Sequence, residues 1–151
     1  MQRRLRAILL VVALAAPLSM PAGSTDAAVR HPPHPCELPR RDGETIQHYS
    51  KRLISCAVVA FGPVTGGETR AICIAKRESK LVPTASSETG QYLGLYQHAA
   101  KYWPSRFDTY TEASWQLSTS ALSGRSNAIV TIRMVRAIGG WKRAGWPVGT
   151  C

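Results

Sequence analysis

Apolar residues recur at three- and four-residue steps in three stretches of the chain. Ile46, Tyr49, Leu53, Ala57 and Phe61 form one stripe, which Ile54 and Val58 widen. That is the period of an amphipathic helix lying on a core, and it predicts a helix over residues 44–61. Gly62-Pro63 ends it, and residues 64–68, with Gly66-Gly67, read as a turn. A second stripe, Ala71, Ile74 and Ala75, predicts a helix over residues 69–80. The third, Val130, Met134, Ala137 and Ile138, predicts a helix over residues 127–138, capped by Ser123 or Ser126 and closed by Gly139-Gly140.

Between the second and third stripes the pattern loosens. Pro83 breaks the helix, Ser86 to Gly90 form a polar turn, and residues 91–93 read as a short extended piece, half of a small hairpin. Gly94-Leu95-Tyr96-Gln97 opens a segment expected to continue as a helix through residues 99–103 and to stop at Pro104. Residues 107–122 are polar, with Trp115 as their main apolar anchor, and the pattern assigns no element there. Short helices with one small hairpin or loop make the expected fold mostly α.

The N-terminal part follows another logic. Arg3, Arg4 and Arg6 precede an apolar run from Ala7 to Leu18, and small residues lie between Ala22 and Ala28. This predicts a secretory signal peptide over residues 1–28, too short to span a membrane. The twin arginine is a weak hint of a different export route. Residues 29–43 carry Pro32, Pro33, Pro35 and Pro39 and read as an extended leader or linker, which leaves residues 44–151 as one folded domain. His31, His34 and Cys36 match no standard ligand spacing, so neither metal nor cofactor is expected.

The formal net charge is +10, and it stays strongly positive without residues 1–28. An exported, monomeric protein of this balance is drawn to anionic cell-wall polymers. No basic run is interleaved with aromatics in a recognisable module, so nucleic acid is not an expected partner. No later stretch is apolar enough to embed the mature form in a membrane. Four cysteines, Cys36, Cys56, Cys73 and Cys151, predict two disulfides with three possible pairings.

One carboxylate stands out. Glu78 lies four residues after Ile74 and three after Ala75, on the apolar face of the second helix. Desolvation there favours the protonated form, which a general acid requires. An edge glutamate paired with a neighbouring Lys or Arg has the same spacing, and helical position alone does not separate the two.

The residues after Glu78 add a resemblance. Glu78-Ser79, Pro83, Ala85-Ser86, Gly90 and Gly94-Leu95-Tyr96-Gln97 stand in the order and spacing of soluble lytic transglycosylase domains, with Tyr96 in place of a methionine. Residues 89–97, Tyr102-Trp103, the last helix, Trp141, Trp146-Pro147 and Cys151 are similar to the actinobacterial branch that includes resuscitation-promoting factors. The resemblance covers residues 44–151. It implies a lysozyme-like α+β fold, helices around a cleft, and cleavage of the MurNAc–GlcNAc β-1,4 bond of peptidoglycan glycan strands.

It also implies roles. Glu78 is the acid and base, and Gln97 lines the cleft beside it. Ser86, Tyr92, Gly94, Tyr96, Trp103 and Asn127 are the further substrate-binding candidates. Gly94 would let backbone approach the sugar, the three aromatics would stack on or border sugar rings, and Asn127 would sit behind the cleft. Core packing is the alternative for each aromatic, and a simple helix cap for Asn127. The implied disulfides are Cys73–Cys151 and Cys36–Cys56, with Cys56–Cys73 as runner-up. Glu88, Asp108 and Glu112 have no motif context, which favours a single-acid mechanism. An Ala-Tyr-Asn motif common in transglycosylases has no counterpart near residues 134–140. Hydrolysis by a muramidase of the same fold is therefore an alternative outcome. A non-catalytic cell-wall binder or growth signal, or a cationic antimicrobial protein, are the readings from other classes.

Overall fold

The computed structural model describes residues 34–151; the signal peptide and the first residues of the leader lie outside them. Four helices carry the domain: α1 (Ile46–Phe61), α2 (Gly67–Ser79), α3 (Trp103–Tyr110) and α4 (Gly124–Ile138). A two-stranded antiparallel hairpin, β1 (Tyr92–Leu93) and β2 (His98–Ala99), lies between α2 and α3 and pairs Tyr92 with Ala99 and Leu93 with His98. Single 3-10 turns cover Ala100–Tyr102 and Ala113–Trp115. The expectation of a mostly α chain with one small hairpin holds.

α1 starts where Thr45 caps it, its hydroxyl accepting the His48 N–H, and ends at Gly62. The expected stripe packs inward through Leu53, Ile54, Ala57 and Phe61; full burial of a Leu or Phe side chain is worth about 1.5–3 kcal/mol. α4 packs against both α1 and α3. Its buried face runs from Ser126 through Val135, so it is the central helix of the core.

Three sequence expectations are corrected. Gly94–Gln97 is not the start of a helix but the turn of the hairpin, with Gly94 at φ +80° and Gln97 at φ +51°. Backbone in that left-handed region cannot propagate a right-handed helix. Pro104 does not stop a helix: it stands in the first turn of α3, where a missing N–H costs nothing. α4 begins at Gly124, three residues before Asn127, because the Ser123 hydroxyl accepts the Ser126 N–H and sets the cap there.

The cysteines pair as Cys36–Cys56 and Cys73–Cys151, the pairing implied by the resemblance and not Cys56–Cys73. The described part of the leader is docked on the domain. Besides the Cys36 bridge, Tyr49 Oη donates to the Leu38 carbonyl and Arg125 Nε to the Pro35 carbonyl. Among the described residues no helix is long and apolar enough to cross a membrane.

Candidate functional site

Glu78 is the penultimate residue of α2. The helix ends abruptly behind it: Lys80 (φ +57°) and Leu81 (φ +64°) are both left-handed. Two successive non-glycine residues in that region are sterically costly and persist only where surroundings dictate them. Here Leu81 is buried in the core, which fixes the reversal. Ser79 Oγ lies 2.8 Å from the Leu95 carbonyl and 3.1 Å from that of Ala75, so it ties the end of α2 to the hairpin turn. The Glu-Ser pair is thus a carboxylate beside the hydroxyl that anchors its helix.

Glu78, Tyr92 and Gln97 line one groove of about 380 Å3, whose other wall is Gly145, Trp146 and Pro147 of the tail. The Glu78 side chain is 25 % exposed. Arg77 donates to its Oε1 from Nη2 at 2.8 Å and from Nε at 3.2 Å, so both contacts land on one oxygen. Gln97 donates from Nε2 to the carbonyls of Gly94 (2.9 Å) and Ala85 (3.3 Å), which holds its amide in place with Oε1 left over. Tyr92 is exposed and also lines an adjoining concavity of about 370 Å3 with Lys101. Tyr92 is thus shared by both concavities.

Five of the expected contact residues stand elsewhere. Tyr96 is fully buried, its hydroxyl donating to the Ala71 carbonyl at 3.0 Å, and its ring packs between Trp141 and Trp146. Burial pushes its phenol well above the usual range. Trp103 is likewise buried, with Nε1 donating to the Thr119 carbonyl. Neither ring can stack on a sugar. Gly94 faces inward. A Cβ on it would lie 2.2 Å from both the Ala121 carbonyl oxygen and Asn127 Nδ2, so close approach of its own core, not of a ligand, requires the glycine. Asn127 is neither a cap nor a ligand contact. Buried in α4, it accepts the Tyr96 N–H at 3.0 Å and donates to Ala121 at 2.9 Å and towards Leu93 at 3.4 Å. It holds the turn that presents Gln97. Ser86 is exposed, bridges to Leu93 and donates to the Ser87 carbonyl, outside the groove lining.

Trp146, which entered the sequence analysis only as part of the resemblance, has a place in the site. The residue is buried, with Nε1 donating to the Tyr96 carbonyl at 2.8 Å, yet its edge forms groove wall. The Cys73–Cys151 bridge ties the tail that carries it to α2, the helix of Glu78.

His98 was missed altogether. It is fully buried between Trp103 and Trp146. Arg106 donates to its Nδ1 at 2.9 Å, so Nε2 carries the proton towards Thr131 Oγ1 at 2.7 Å, and that hydroxyl donates to the Asn127 carbonyl. Burial first, and the Arg106 charge second, push its pKa down to about 3. No local sequence signal marks it, because Trp103 and Trp146 flank it only in the folded chain.

No family model, curated protein or solved structure matches the chain.

Proposed function

We propose that the protein is an exported, peptidoglycan-cleaving lytic transglycosylase with a lysozyme-like fold, in which Glu78 is the sole acid and base. One observation carries this reading. Glu78, Tyr92 and Gln97 come from a helix end, a strand and a turn, and they meet in one groove.

The chemistry follows from that lining. Paired-carboxylate glycosidases need a second Asp or Glu across the scissile bond. Among the described residues the groove has Glu78 as its one carboxylate. A reaction with one acid therefore has to draw its nucleophile from the substrate. Glu78 gives a proton to the bridging oxygen as the glycosidic bond breaks, and the muramyl N-acetyl oxygen supports the anomeric carbon. The resulting carboxylate then takes the proton of the same sugar's 6-hydroxyl as its oxygen closes on that carbon, giving a 1,6-anhydro end and restoring the acid. Intramolecular attack has a large effective-concentration advantage, so no residue has to position a water. Because Arg77 occupies Oε1, the proton passes through Oε2 in this scheme. Tyr92, exposed beside the carboxylate, offers a ring face to a sugar.

Hydrolysis is the second reading, and a particular observation favours it. The group touching Glu78 is an arginine, not the tyrosine found in many transglycosylases. Mass spectrometry of glycan digested by the wild type and by Glu78→Gln separates the possibilities. Anhydro-muramyl ends that vanish in the variant support the proposal. Reducing ends indicate a muramidase. Cleavage that persists in Glu78→Gln removes Glu78 from the mechanism, and no cleavage by the wild type on several cell walls favours a binder.

A further inference from the structure

A further concavity, of about 440 Å3, lies where three helices come together. Its lining is Phe61 of α1, Thr109 and Tyr110 of α3, and Arg133, Arg136 and Ala137 of α4. It shares no residue with the Glu78 groove. Phe61 and Tyr110 are the last residues of their helices, where carbonyls take donors from outside the helix. Arg136 donates from Nη1 to the Phe61 carbonyl at 3.0 Å, and Arg133 from Nη1 to the Tyr110 carbonyl at 3.1 Å. The Arg133 guanidinium also lies 4.8 Å from the Trp115 ring and 5.6 Å from that of Phe61.

Capping engages one N–H of each guanidinium, and a guanidinium has five. Residues 133 and 136 are three apart on α4 and stand on one face. Two cations are therefore already immobilised at the same concavity, with donors to spare in the planar geometry that suits an oxyanion. The entropy a ligand would lose by ordering them has been spent on the fold. Glu112, half exposed, forms a surface ion pair with Arg133 at 3.8 Å, while no carboxylate lines the concavity itself among the described residues. The other basic concavity, with Arg70, Lys142 and Arg143, has one anchored cation: Arg70 donates to the Cys151 carbonyl, whereas Lys142 and Arg143 are exposed and show no side-chain hydrogen bond among the described residues.

We propose that the Arg133–Arg136 concavity is an oxyanion site for an extended polyanion, separate from the Glu78 groove and independent of catalysis. Phosphodiester and uronate polymers share the required chemistry, and the test distinguishes them. The 15N-labelled protein is titrated with polyphosphate and, separately, polygalacturonate, with the arginine Nε–H resonances followed. Exposed Ala137 allows a carboxylate to be placed in the lining without disturbing either cap, and exposed Thr109 offers the same from α3.

Arg133 and Arg136 are expected to shift first and most. Ala137→Glu is expected to weaken binding roughly tenfold, while Ala137→Gln stays within about twofold of wild type. Thr109→Glu should repeat the loss if Ala137→Glu fails to fold. The polymer that binds identifies the oxyanion. Binding of neither polymer overturns the proposal. So do shifts centred on Arg70 and Arg143, shifts spread evenly over all arginines, or equal binding by the Glu and Gln variants.

Discussion

Two carboxylates flank the first helical hairpin and live in opposite surroundings. Glu44 precedes α1, with 2 % of its side chain exposed. Its Oε2 accepts the Arg41 N–H, Arg52 Nη1 reaches both oxygens, and His48 Nδ1 lies 3.0 Å from Oε1. The Arg41 backbone hydrogen bond, then the Arg52 contacts, hold its carboxyl below the usual range against the cost of burial. Glu78 ends α2 with a quarter of its side chain exposed, one oxygen engaged by one arginine, and a groove beside it. Glu44 is fully used by the fold that surrounds it. Glu78 is left with bonding capacity at a surface shaped to receive something.

The sharpest way to break this contrast is to neutralise each acid. Glu78→Gln is expected to lower glycan cleavage by about 10²–10⁴-fold with an unchanged melting temperature. Glu44→Gln is expected to do the reverse, lowering the melting temperature and sparing cleavage rates. If Glu44→Gln abolished cleavage in a folded protein, the assignment would fail.

Next in size are the buried supports of the groove. Gly94→Ala places a methyl 2.2 Å from Asn127 and Ala121 at a positive φ, and should cost about 3 kcal/mol or more in a urea titration. Asn127→Ala strands the Tyr96 N–H and the Ala121 carbonyl and should cost about 3 kcal/mol.

The disulfides should differ in the same assay. Removing Cys73–Cys151, which closes a 78-residue separation, is expected to cost ~4 kcal/mol, against ~3 for the 20-residue Cys36–Cys56. Only the first should also impair cleavage, because it anchors the groove wall.

The most gradual effect is in pH. His98, with its folded pKa depressed from 6.5 to about 3, contributes stability that is complete above pH 6.5 and is lost as pH falls towards 3. Glu44, depressed below 4.5, adds a second loss below that pH with the same sign. A stability profile by urea titration should therefore fall monotonically on acidification. His98→Gln should flatten its upper part and Glu44→Gln its lower part.

Much of the helical skeleton was legible because helices announce themselves locally. The stripes ending at Phe61, Ala75 and Ile138 each place α1, α2 and α4 to within a few residues. The first turn of α4 escaped because Gly124, Arg125 and Ser126 carry no apolar period, although Ser123 was already a plausible cap. Residues 94–99 read as a helix start because Leu95 and Tyr96 are adjacent apolars, as compatible with a buried turn, and the chain becomes helical only from Ala100. Of the site, Glu78, Tyr92 and Gln97 were named from sequence and meet in the groove. Trp146 was named without that role. Of the two readings of Glu78 left open by its spacing, the structure shows the edge glutamate paired with a neighbouring arginine, Arg77, and not a carboxylate sealed on the apolar face.

The chain by itself determined its charge, its cysteine count, three amphipathic helices and a carboxylate at the end of the second. These depend on residues a few positions apart, whose spacing acts through local backbone geometry. Tertiary structure decided which groups reach solvent. Tyr92 and Tyr96 are the same residue type four positions apart in one hairpin, and one is exposed while the other is sealed under two tryptophans. Gly94 looked open to a ligand until Asn127, 33 residues later, filled the space beside it. Burial is a property of what packs across from a residue, and that neighbour is set by long-range contacts that local periodicity does not encode.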